Sequence, residues 1–250
     1  MARWWRRGLA VLVLAVLASC GGEEGPPPAR EPTPLDESTT GTITGEVRFS
    51  GPVPAMGTIN FGSFRECSAQ HDGPVPTGDV LVHEGTVENA FVWIVKGLED
   101  RVFAVPTEPV VIDQKGCLYV PHVAGAQVGQ PIRFVNSDRT LHNVHGKPKV
   151  ASDWNIALAR QGADRTIHVD EAEVAISVRC DLHPWMQGWL GVVDHPYFAV
   201  TGADGRFTLP AVPPGEYTLA VWHERFGRQE QTVSLEPSGS ASTTFDLATQ

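Results

Sequence analysis

The sequence predicts an all-β chain built from sandwiches or partly closed barrels, on three observations. Apolar residues alternate: Ile43, Gly45, Val47 and Phe49 share one parity, as do Ile132, Phe134 and Asn136, and Tyr217, Leu219 and Val221. A period of two marks strands with one buried face. Turn signals cut the chain into short pieces, among them Ser50-Gly51-Pro52, Asp204-Gly205 and Pro213-Pro214-Gly215. No long amphipathic helix pattern occurs in the folded part; the one helix candidate is Ser152 to Arg160. The chain has 250 residues, 42% of them hydrophobic and 19% charged, enough for one large domain or two small ones with packed cores.

The N-terminus is a targeting segment. Arg3, Arg6 and Arg7 precede an apolar run from Leu9 to Leu17, too short to span a bilayer stably. Leu17-Ala18-Ser19-Cys20 then resembles the lipobox of bacterial lipoproteins. Residues 1–19 are thus expected to be a signal peptide, with Cys20 the lipidated N-terminus of the mature chain. Ordinary cleavage nearby, leaving Cys20 a free thiol, is the alternative. Two or more acyl chains anchor firmly where one is marginal. Gly21 follows Cys20 where Asp would retain a lipoprotein at the inner membrane, so the resemblance implies the outer membrane of a bacterial cell envelope. Residues 20–41, rich in Pro, Glu, Gly, Ser and Thr, read as a disordered tether. Loss of the three arginines leaves the mature chain more negative than the formal −10 of the whole. No basic stripe remains, so nucleic acid is excluded as a partner.

The strands follow in order. Gly41 to Phe49 alternates; Phe91 to Val95 is apolar throughout and suits a central strand. Val174, Ile176, Val178 and Cys180 share a parity, so a core-facing strand carries the cysteine inward. Trp189 to Val193 begins a closing strand. A buried thiolate without a counter-charge is costly.

Two blocks resemble known families. Leu118 to Val193, with the strand before it, resembles a cupredoxin: a Val-Gly turn at Val128-Gly129, then a strand ending in Asn136-Ser137-Asp138 ahead of a histidine. Phe198 to Leu247, with Gly202-Ala-Asp-Gly-Arg-Phe and Pro213-Pro-Gly-Glu-Tyr, resembles a carboxypeptidase regulatory-like domain, a transthyretin-type sandwich. That family opens on a Gly-x-Val strand, and Gly45-Glu46-Val47 lies upstream of the cupredoxin block. The expected organisation is a Greek-key cupredoxin, residues 106–193, inserted into a discontinuous sandwich of residues 42–105 and 194–250. Three modules in a row is the alternative.

The residues that carry chemistry are His142, Cys180, His183 and Met186, in Leu-His-Asn-Val-His and Cys-Asp-Leu-His-Pro-Trp-Met. Two imidazoles, one thiolate and a weak axial thioether are the ligand set of a blue copper site. Two residues separate Cys180 from His183 and two separate His183 from Met186, a short loop similar to that of amicyanin. The resemblance implies one type 1 copper, equatorial on His142, Cys180 and His183 and axial on Met186. It implies that Asn143 ties the two ligand loops together from outside the ligand set. Cys67 and Cys117 are then left over, an even remainder that suggests a disulfide outside the cytosol. Pairing of either with Cys180 is the competing reading. His122, His145, His195 and His223 read as structural or exposed, with His195 and His223 a second metal pair only if the domains pack together.

These readings imply an electron carrier and no enzyme. Four protein ligands leave no open position, and no hydrolase, phosphate-loop or haem motif is present. His183 is expected at the surface with Pro184, Trp185 and Trp189 around it. That patch would dock a redox protein such as a c-type cytochrome or a periplasmic oxidoreductase. Copper storage, delivery or sensing is the alternative, as is a non-enzymatic glycan- or protein-binding module.

Overall fold

The computed structural model describes Met1 and residues 31–249; the stretch expected to be a signal peptide, Cys20 and the first part of the expected tether lie outside the described residues. Strand Gly41–Phe49 shows how the rest is organised. Ile43, Val47 and Phe49 are buried, as their parity predicts. It pairs antiparallel with Arg206–Val212 and parallel with Ser240–Leu247. Chain from near both ends of the described region therefore shares one sheet. The facing sheet runs Phe198–Val200, Phe91–Lys96, Gly215–His223, Gly227–Leu235. Ile43, Val47, Ile94, Leu219 and Phe245 fill the space between them. We call this the flanking sandwich.

The residues between form the central sandwich. One sheet has the order Trp154–Leu158, His142–Lys147, Glu173–Arg179, Gln187–Val193, Val123–Gln127. The other runs Asp164–Ile167, Ile132–Asn136, Val110–Lys115, Leu118–Val120. Ile112, Ile132, Phe134, Ile176 and Leu190 make its core. The chain is all-β; the one helix among the described residues is the single turn Arg65–Ser68.

The apolar run in Phe91–Lys96 has a simple cause. Val92 and Ile94 face the flanking core, while Phe91 and Trp93 point the other way, into a third cluster with Val123, Val193 and Ala220. Both faces of this strand are covered, so both are apolar. Gly125 and Gly191 make room for Phe91: a Cβ at Gly191 would lie 2.4 Å from its ring.

Three expectations change. Residues 152–160 hold no helix; Trp154–Leu158 is an edge strand paired with His142–Lys147. Trp154, Ile156 and Leu158 alternate, and the Trp154 ring covers Gly146, where a Cβ would come within 2.0 Å. Edge pairing outweighed a short helical propensity. Val174 also leaves the face of Ile176 and Val178: a register shift between Val174 and Ile176, with Ala175 at φ +71°, turns Val174 to the third cluster. That is the local effect of a β-bulge. Finally, the chain is held from Thr33 onward, where Thr33 N–H donates to Val102 O (2.8 Å) and Ser238 Oγ to Ser38 O (2.7 Å).

Candidate metal centre

His142 begins strand His142–Lys147, and Cys180 follows strand Glu173–Arg179 directly. These strands are neighbours in one sheet, so the two side chains emerge at the same end. The chain then turns tightly: Cys180 N–H donates to Met186 O (3.1 Å) and Met186 N–H to His183 O (2.9 Å). The turn swings His183 back over Cys180. His142 Nδ1 lies 3.0 Å from His183 Nδ1, and Cys180 Sγ lies 3.5 Å from the same nitrogen. His142, Cys180, His183 and Met186 are all buried, Met186 in the core cluster that holds Cys180.

Asp138 fixes His142. Its Oδ2 lies 2.9 Å from His142 Nε2, and its carboxylate also accepts the N–H groups of Gly116 (2.8 Å) and Cys117 (2.7 Å). A hydrogen at Nε2 leaves the Nδ1 lone pair facing the pocket, the arrangement in which a carboxylate orients a ligating histidine. Burial alone would raise the Asp138 carboxyl; the bonds from His142, Cys117 and Gly116 outweigh it and hold it below the usual carboxylate range. Burial would likewise raise the Cys180 thiol, but hydrogen bonds from His142 and from backbone groups nearby bring it below its ordinary value. Burial would lower His142, but its bonds to Asp138 and Cys180 outweigh that and raise it, while burial and then the charge on His142 lower His183.

Asn143 joins the two ligand segments. Its Nδ2 donates to Asp181 Oδ2 (2.9 Å) and Asn155 Oδ1 (2.7 Å), and Asp181 N–H donates to its Oδ1 (2.7 Å). His145 Nδ1 adds a contact to Asp181 at 2.9 Å.

The donors fit a soft-to-borderline cation. Two imidazole nitrogens and a sulfur converge without an ammonium or guanidinium among them, and all three ligand atoms lie within 4.8 Å of one another. Bonds of about 2.0–2.3 Å from a common centre span such a group. One cysteine sulfur and two imidazoles, with the Met186 thioether in the same core cluster, are softer donors than a hard ion prefers.

His183 is not at the surface; it is 2% exposed. The covering comes from a segment more than a hundred residues earlier. Phe64 packs edge-on against His183 (centroids 4.9 Å) and against Trp185 (5.3 Å). Phe61 meets Trp185 at 5.2 Å and stacks on His71, whose Nε2 lies 2.8 Å from Gly116 O. Cys67 and Cys117 are joined as a disulfide that pins this cap to the central sandwich. The Trp185 indole is turned inward and donates to Cys117 O (3.1 Å), which leaves Pro184 exposed and no open His183 edge. Sequence reading missed Asp138 as a partner of His142 and missed Phe61 and Phe64 entirely. The i, i+4 spacing of Asp138 and His142 was a usable signal; the cap left none, because its contacts depend on the long-range fold.

His195 and His223 do not form a metal pair. His195 Nε2 lies 2.8 Å from Ile94 O, and His223 accepts from Arg225 N–H and stacks on Phe226 at 4.5 Å. His122 pairs instead with Glu224 across the two sandwiches. A cavity of about 420 Å³ lies away from the histidine–cysteine cluster, at the seam between Trp93, Trp222, Arg228 and Asp194. No helix of the described residues is long and apolar enough to cross a membrane.

Residues 192–248 match the carboxypeptidase regulatory-like domain family. Rhamnogalacturonate lyase A of Emericella nidulans is 36% identical over 64 residues, 26% of this chain and 12% of that protein. A probable rhamnogalacturonate lyase A of Aspergillus flavus is 34% identical over 58 residues, 23% of this chain and 11% of that one. The matched stretch thus spans about a tenth of either lyase. Among solved structures, a purple cupredoxin from Nitrosopumilus maritimus aligns with 33% of this chain and 98% of its own, at 20% identity and a TM-score of 0.29. A reduced amicyanin variant aligns with 40% of this chain and 97% of its own, at 20% identity and a TM-score of 0.32.

Proposed function

We propose that this chain is an envelope-anchored copper protein that passes single electrons. The carrying observation is the convergence of His142 Nδ1, His183 Nδ1 and Cys180 Sγ in a buried pocket, with the His142 tautomer set by Asp138. When bound, copper supplies one-electron exchange between its two common oxidation states. The protein supplies the rest. Cys180, its thiol held below the ordinary range, would supply sulfur; His142 and His183 would supply ring nitrogen once the metal displaces their protons; Met186, buried in the same core cluster, would supply the weak thioether. Asn143 and Asp181 hold the strand end and the loop in one geometry, so little needs to rearrange when charge changes. Burial by the cap excludes water.

In this reading Cys20 carries the lipid, and the Pro- and Gly-rich stretch that follows it is the tether. A tether raises the effective concentration of membrane-bound redox partners, such as a c-type cytochrome or a periplasmic oxidoreductase. In this reading a redox partner docks on the cap and the Trp185 side, over the covered His183 edge. The test is a spectrum. Copper(II) added to the protein should bind one ion per chain and give an intense red-region absorption from thiolate charge transfer. Cys180→Ser should abolish that band. Retention of copper through repeated reduction supports electron passage; a wild-type protein that binds Cu(II) without colour overturns the reading.

A further inference from the structure

The Cys67–Cys117 disulfide lies against the histidine pair. The sulfurs of Cys67 and Cys117 and a ring nitrogen of His183 all lie within 4.8 Å of one another, and Cys117 Sγ, an Asp138 oxygen and a His142 nitrogen form a second such group. Cys117 therefore borders both histidines. Its backbone is bent to do so. Gly116 and Cys117 link strands Val110–Lys115 and Leu118–Val120, both at positive φ (+65° and +56°). Two-residue hairpin turns of this kind favour Gly, Asn or Asp, and other side chains are uncommon there. The turn directs a sulfur into the metal pocket, and Asp138 fastens it by both turn N–H groups. Cys67 approaches from the other side on the one-turn helix Arg65–Ser68, whose neighbours Glu66, Ser68 and Ala69 are exposed. Both cysteines are themselves buried, with the sequence neighbours of Cys67 at the surface.

We propose that Cys67, Cys117 and His183 form a second, soft-metal ligand set when the disulfide is reduced. A dithiol reductant breaks the S–S bond by exchange: two electrons and two protons pass to the bridge, giving two thiols, and the reductant leaves as its own disulfide. Cu(I) then displaces the thiol protons and is held by two thiolates and an imidazole, donors that favour the monovalent ion. With the bridge closed, the pocket offers one free sulfur, the set suited to electron passage. With it open, the pocket offers three, a set suited to holding or handing on Cu(I). Because His183 belongs to both sets, an ion could pass between them without leaving the protein.

The inference shares His183 with the copper reading above, but its test does not require a blue site. In a Cys180→Ser chain the first set lacks its thiolate while the bridge is intact. That protein is treated with dithiothreitol, desalted without oxygen and titrated with Cu(I) against a chromophoric chelator. Reduction should create two alkylatable thiols under native conditions and one Cu(I) site tighter by about tenfold or more than in the oxidised form. X-ray absorption should show two sulfurs and one nitrogen, and His183→Ala should weaken the site. Equal Cu(I) affinity before and after reduction overturns the proposal. So does a bridge that yields thiols only in denaturant, or reduction that unfolds the chain by circular dichroism, because the disulfide is then structural alone.

Discussion

Asp138 shows how much one buried side chain can do. Its carboxylate satisfies three donors at once: the Nε2 hydrogen of His142 and the N–H groups of Gly116 and Cys117. Removing an acceptor leaves each buried donor unsatisfied, at about 1–3 kcal/mol apiece. Asp138→Ala should therefore destabilise the metal-free fold by roughly 3 kcal/mol or more, read by chemical denaturation. It should also free the His142 ring to take the other tautomer, lowering copper affinity by about 10–100-fold, read by chelator competition. Asp138→Asn keeps one acceptor and should fall between. If Ala unfolds the chain no more easily than wild type, the carboxylate is not the turn's anchor. Much at this scale was legible in the sequence. Donor sets are recognised by residue type, and a tight loop keeps three of the candidate donors within seven positions, so His142, Cys180, His183 and Met186 could be named as candidates directly. Asp138 was harder, because an acid gains meaning here only from the two turn N–H groups that the fold brings to it.

At the scale of elements, strands could be read and the cap could not. Parity identifies a strand because each residue reports the face it sits on; Ile43, Val47 and Phe49 needed no partner to be recognised. Strand Trp154–Leu158 carried the same signal and was obscured by a run of helix-compatible residues. The segment around Phe61, Phe64 and Cys67 has neither parity nor helical period, and its purpose appears only where Phe64 meets His183. Closing the loop between Cys67 and Cys117, separated by 50 positions, is worth about 4 kcal/mol in the chain-entropy account. Replacing both cysteines by serine should lower unfolding free energy by about that amount and should also speed carbethoxylation of His183. Phe64→Ala should speed the same modification with the bridge intact. Mass-spectrometric mapping of modified histidines separates the two variants. Unchanged protection of His183 in both would mean that something other than the cap covers it.

The two sandwiches share a seam, and that sets how the molecule as a whole responds to stress. Acid acts on the flanking sandwich. Burial pushes His223 down to about 4, with small opposing contributions from charges nearby. A histidine depressed in the folded state is neutral there and charged in the unfolded chain once pH falls below about 6.5. Its contribution is intact above that pH and is lost progressively down to the folded value, on the order of 3 kcal/mol in all. His223→Phe should flatten the fall in stability between these limits, at the cost of the acceptor for Arg225 N–H. An unchanged acid slope would place the sensitivity elsewhere.

The seam decides whether that acid effect stays local. Phe91 belongs to the flanking sandwich, yet its ring rests on Gly125 and Gly191 of the central one, beside Val123 and Val193. Trp189 and Trp222 meet across the same line at 5.1 Å, and His122 pairs with Glu224. These contacts are core-like, so the two sandwiches should melt in a single transition. Gly191→Val tests this directly. A side chain there must displace a ring from within 2.4 Å, and the ring stands on a central strand with both faces packed. Overpacking of this sort costs about 1–3 kcal/mol, and relief comes only by parting the sheets. Calorimetry of the variant should show two transitions where wild type shows one, the lower belonging to the sandwich that loses more when Phe91 leaves. The candidate ligands Cys180 and Met186 belong to the central core with Ile176, Val178 and Leu190, so under the proposed function the colour of the copper-loaded protein should survive the first transition if the flanking sandwich melts first. A single transition displaced by less than the overpacking cost would show that Phe91 can turn aside and that the strain does not uncouple the two sandwiches.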